Sequence, residues 1–126
     1  MGYGENVTEL IGKTLVEVIN GNDEVITFKV DDGSVYELYH SQSCCESVYV
    51  EDIIGDLNNL VGSPIVMAEE VSNSETHPED AKLDYEPDCF EWTFYKFATL
   101  KGYVTIRWYG TSNGYYSMSV SFIKVG

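Results

Sequence analysis

Residues 89–123 read CFEWTFYKFATLKGYVTIRWYGTSNGYYSMSVSFI, and their patterning decides the fold. Three runs rich in aromatic and β-branched residues are separated by turn chemistry at Leu100-Lys101-Gly102 and at Thr111-Ser112-Asn113-Gly114. Such side chains suit a pleated, half-buried surface, so the stretch predicts three consecutive antiparallel strands. Closing adjacent strands with these turns sets Thr99 opposite Tyr103, Tyr95 opposite Arg107, Tyr109 opposite Tyr115 and Arg107 opposite Ser117. One face then carries Phe94, Ala98, Val104, Ile106, Trp108, Met118, Val120 and Phe122, the expected core side. The other displays Thr93, Tyr95, Phe97, Tyr103, Thr105, Arg107, Tyr109, Tyr115, Ser117 and Ser119.

Upstream, the same two-residue period runs from Thr14 to Asn20, before the turn cluster Asn20-Gly21-Asn22-Asp23. Glu24 to Val30 and Ser34 to His40 follow as β-rich runs around Asp31-Asp32-Gly33, which favours a tight hairpin, so an antiparallel meander is expected. His40 to Glu46 reads as a loop, Val48 to Ile53 as a strand, and Pro64 opens a strand through Ile65, Val66 and Met67. Asn6 is placed to cap a short helix reaching Leu10, and Asp56 to cap a second from Leu57 to Val61, with Gly12 and Gly62 as stops. Ser72 to Asp88 holds two prolines among many acidic and small polar residues and is expected to be a mobile acidic loop. The fold class is therefore α+β, mainly antiparallel β-sheet with two short helices, in a single domain spanning residues 1–126.

Seven Lys and Arg stand against 21 Asp and Glu, a formal charge of -14 that repels phosphate backbones and argues against DNA or RNA as partners. No apolar run approaches the length of a membrane span, and MGYGENVTEL lacks the features of a signal peptide, so a cytoplasmic location is expected. Three cysteines, two of them adjacent at Cys44 and Cys45, fit reduced thiols better than a disulfide framework. With His40 and Cys89 they also miss the ligand spacing of a structural zinc site, and no metal or cofactor is expected. There is no Walker or Rossmann glycine loop and no GxSxG elbow. Pairs such as Glu51-Asp52 and Glu69-Glu70 arise by chance among so many carboxylates. With no complete catalytic set, a binding protein is expected rather than an enzyme.

The Arg107 face is the informative one. Flat rings, hydroxyls and the only arginine of the sequence suit stacking of a base and bidentate pairing of a phosphate. The same mixture marks an interface as readily as a pocket.

Two segments, HSQSCCESVYVEDIIGDLNNLVGSPI and WTFYKFATLKGYVTIRWYGTSNGYYS, resemble those of small phage proteins, the Thoeris anti-defence sponges. The similarity spans His40 to Met67 and Trp92 to Ser119, with the acidic loop between them unmatched. The resemblance implies a protein of the infected bacterial host's cytoplasm that sequesters a cyclic ADP-ribose isomer such as gcADPR, leaving it intact and blocking TIR-domain immunity. Some members of the family also hold cyclic di- or trinucleotides of CBASS immunity at separate sites, formed when dimers assemble into hexamers, so a homo-oligomer is implied. Carried onto this chain, it makes Arg107 and Thr105 phosphate contacts and Trp92, Tyr95 and Phe97 stacking residues, beside Tyr109 of the same strand as Arg107. Asn113 and Tyr116 become ribose or base partners. Ser43 stands where an acidic residue is expected in the His40 loop. Two other classes stay open: an enzyme hydrolysing a cyclic nucleotide with His40 or a carboxylate as base, and an acidic module that inhibits a protein partner.

Overall fold

The computed structural model of the chain describes residues 6–42, 46–81, 89–112 and 117–126. Strands β1 (Leu15–Gly21), β2 (Val25–Val30) and β3 (Val35–Tyr39) form the antiparallel meander that the two-residue period predicts. At the first turn Asn20 and Asp23 hydrogen-bond each other at 2.9 Å, and Asn22 and Asp23 take positive φ. A bulge between Leu15 and Glu17 breaks the simple alternation of β1, so Leu15 is buried and Val18 packs on the core while Val16 and Ile19 stay exposed.

The remaining strands are β4 (Ser47–Ile54), β5 (Met67–Asn73), β6 (Cys89–Thr99), β7 (Gly102–Ser112) and β8 (Ser121–Lys124). They complete two four-stranded antiparallel sheets, ordered β1-β2-β3-β8 and β4-β7-β6-β5. The third C-terminal strand thus does not pair with the Arg107 strand as expected. It crosses to the other sheet, where Phe122 lies opposite Leu38, and β4 takes the place beside β7. Residues such as Leu15, Ile26, Phe28, Leu38 and Phe122 from the first sheet meet Val50, Phe97, Val104, Ile106 and Trp108 from the second in one core. Phe28 and Phe97 touch across it with ring centroids 5.4 Å apart.

The hairpin of β6 and β7 also differs from expectation, by one residue. Thr99 pairs with Gly102 rather than Tyr103, and Tyr95 with Ile106 rather than Arg107, because the loop is two residues long. Thr99 fixes it: its hydroxyl accepts from the Lys101 amide at 3.1 Å and donates to the Asn59 carbonyl, while Lys101 Nζ donates to the Val61 carbonyl at 2.7 Å. Gly102 closes the turn at φ 146°, open to glycine and strained for other residues. A one-residue change turns every side chain of a strand over. Tyr95 and Phe97 therefore enter the core, and Trp92, Phe94, Lys96 and Ala98 share the outer face with Thr105, Arg107 and Tyr109.

Both predicted caps are present, with Asn6 accepting from the Thr8 amide and Asp56 from the Asn58 amide at 2.9 Å. The helices they start are single 3-10 turns, Val7–Leu10 and Leu57–Leu60, because the chain returns at once to extended backbone at Ile11 and Val61. Too few residues remain to offset the cost of nucleating an α-helix. Among the described residues the fold is mainly antiparallel β-sheet, as expected, with two 3-10 turns where the α component of α+β was expected. The strand predicted from Pro64 begins at Met67, and it runs into the expected loop as far as Asn73; residues 82–88 of that loop lie outside the described residues.

Candidate functional site

On the outer face of the second sheet, register alone puts Arg107 between Asp52 of β4 and Phe94 of β6, and Tyr109 between Tyr49 and Trp92. The Trp92 and Tyr109 rings lie 4.2 Å apart at 30°, Tyr49 meets Tyr109 edge-on, and the guanidinium carbon of Arg107 lies 5.3 Å from the Trp92 ring centre. A bulge in β4 between Val50 and Asp52 brings Glu51 to the arginine. Its Oε1 lies 2.6 Å from both Nε and Nη2 of Arg107.

Residues 74–81 fold back over this face. Asn73 starts the return by accepting from the amides of Glu75 and Thr76. His77 then stacks on Phe90 with centroids 3.8 Å apart, and its Nδ1 accepts from Trp92 Nε1 at 3.0 Å. Asp80 Oδ1 accepts from Arg107 Nη1 at 2.9 Å. Arg107 is consequently buried although it points away from the core. Burial opposes its charge, but hydrogen bonds to Glu51 and Asp80 outweigh that and raise its pKa. In return the Arg107 hydrogen bond holds the Asp80 carboxyl below the usual carboxylate range.

Arg107, Trp92 and Tyr109 are brought together here, and Thr105 lies two residues along the same strand, opposite Lys96 and Ile54. Tyr95 and Phe97, expected to stack on ligand, are instead core residues turned away by the hairpin register. Burial, then the neighbouring Glu70 carboxylate, pushes the Tyr95 phenol well above its ordinary range. Asn113 and Tyr116 lie outside the described residues. Glu51, His77, Asp80 and Tyr49 join the site without having been predicted. The Glu51-Asp52 pair was visible in the sequence, but only the β4 bulge sets it apart from other acidic pairs.

A second polar arrangement lies where the first sheet meets β4. His40 Nδ1 is 2.6 Å from the Ser119 carbonyl and its Nε2 is 2.7 Å from Glu46 Oε2, with both side chains almost fully buried. A carbonyl only accepts, so Nδ1 carries a proton and the ring orientation is fixed. An open cleft of about 570 Å³ adjoins it, lined by Glu24, Val25, Glu37, Tyr39, Gln42 and Val48 with His40. Cys44 and Cys45 lie outside the described residues, and Cys89 is a free thiol.

No helix among the described residues is long and apolar enough to cross a membrane. No curated protein and no solved structure matches the chain. A family model described as a domain of unknown function, DUF7448, matches residues 8–122, and with nearly its whole length covered the chain belongs to the DUF7448 family.

Proposed function

We propose that this chain is a phage anti-defence protein that binds a cyclic ADP-ribose isomer on the outer face of its second sheet and holds it chemically unaltered. The observation that carries the reading is the Arg107 guanidinium beside the Trp92–Tyr109 ring pair. Stacking surface and a planar double donor together meet the two demands of a nucleotide, a flat base and a charged phosphate. The resemblance to Thoeris anti-defence sponges supports the same reading and adds three elements. They are assembly of dimers into a hexamer, a separate seat for cyclic di- or trinucleotides, and action in the cytoplasm of an infected bacterium.

Native mass spectrometry of the purified protein, alone and mixed with cyclic ADP-ribose isomers and cyclic trinucleotides, tests this directly. The expected result is a multimer carrying ligand whose mass is unchanged after the complex is denatured. Recovery of a hydrolysed nucleotide would establish an enzyme instead, and no bound nucleotide would remove the reading.

The contacts of Arg107 with Glu51 and Asp80 favour a second reading, in which the arginine is a structural tie between β4, β7 and residues 74–81. Thermal melts of Arg107 variants beside binding titrations separate the two.

A further inference from the structure

Resting on the nucleotide reading above, we propose that residues 74–81 form a pseudo-ligand strap, with the Asp80 carboxylate standing in for a phosphate of the bound nucleotide and His77 for its base. Both groups must leave the face when the nucleotide arrives.

The strap offers the chemistry of the ligand in miniature. Three positions apart, it carries a flat ring stacked on Phe90 and hydrogen-bonded to Trp92, and an anion on the Arg107 fork. The two carboxylates hydrogen-bonded to that fork, with Asp52 farther off at 3.9 Å, are not equivalent. Glu51 contacts both Nε and Nη2, and its side chain is 21% exposed; Asp80 contacts only Nη1 and is 67% exposed. An exposed ion pair with one contact is weakly held, whereas a mostly covered one with two contacts is not easily replaced. Glu51 therefore stays as the fixed partner that orients the guanidinium, and Asp80 is the exchangeable one. Displacing it also takes a negative charge away from the incoming anion, which matters in a chain of charge -14. The same movement frees the face of Phe90 for stacking and the Trp92 Nε1–H as a donor.

The test uses the full chain, with Asp80→Asn and Asp80→Ala, titrated calorimetrically with a cyclic ADP-ribose isomer, ADP and inorganic pyrophosphate. Removing an exposed competing carboxylate is expected to tighten binding by about two- to fivefold, with the assembly retained. In the wild type, ligand should raise amide exchange in residues 74–81. Binding by wild type with equal or weaker binding by both variants would overturn the strap proposal and leave the nucleotide reading standing. Unchanged exchange in residues 74–81 on ligand binding would do the same. Binding by none of the proteins removes both. A gain for pyrophosphate alone, with none for the nucleotides, would overturn the role given to His77 and keep that of Asp80.

Discussion

Glu51, Asp52, Asp80 and Trp92 all lie against the Arg107 guanidinium. Under the nucleotide reading, Arg107→Ala removes charge-assisted hydrogen bonds worth roughly 1.5–3 kcal/mol each, and affinity should fall at least about tenfold. Arg107→Lys restores charge without the planar fork and should recover only part of that. Calorimetry beside a melt and a sizing run checks this; wild-type affinity in a correctly assembled Ala variant would falsify the phosphate role. Tyr95 gives a pH prediction. Its phenol is harder to ionise in the folded chain than in the unfolded one, because of burial and then Glu70. Its contribution to stability is thus fully present below the unfolded value near 10 and declines as pH rises above it. Urea midpoints measured from about pH 9 to 11 should fall more steeply in wild type than in Tyr95→Phe. Residue chemistry and strand alternation already put Arg107 and Tyr109 on one face, whereas Trp92 joined them only through the family resemblance. Neither marked Asp80, one acidic residue among 21, whose significance depends on where a returning segment sets it down.

The hairpin of β6 and β7 is the element on which the site depends, because its register decides which aromatics face outward. Phe97 is fully buried and Phe94 only partly so. Phe97→Ala should therefore cost about 3–5 kcal/mol in denaturant unfolding, and Phe94→Ala much less. The reverse order would restore the register expected from the three-residue turn. Alternation of side chains along each strand was readable, as were the turn residues of the meander and the capping roles of Asn6 and Asp56. The loop length was not, because Gly102 serves equally as the last residue of a turn or the first of a strand. Asn59, which accepts the Thr99 hydroxyl and settles the choice, comes from a distant part of the chain.

Over the whole molecule, the second sheet keeps its outer face only partly covered. Tyr103 is 68% exposed, and Ile54, Met67 and Val71 are exposed on the same face. Such a patch suits contact between copies, so sedimentation at micromolar concentration should give a species larger than 14.2 kDa. A sole monomer peak would remove the oligomer from the proposed function. At this scale the sequence was least legible: antiparallel strands with short turns invite a simple meander, and nothing local says that the last strand leaves its neighbour. The crossing of β8 to the first sheet has a kinetic consequence. The β6–β7 hairpin closes over two residues, on the microsecond scale of local pairing, whereas His40 and Ser119, which flank the β3–β8 pair, are 79 positions apart. Until that late closure the β3 edge offers bare amides and carbonyls to any strand that reaches it. During refolding at high concentration the β8 of another copy competes for that edge, and exchange of this short strand is the expected outcome, to be checked by sizing refolded samples over a range of concentrations.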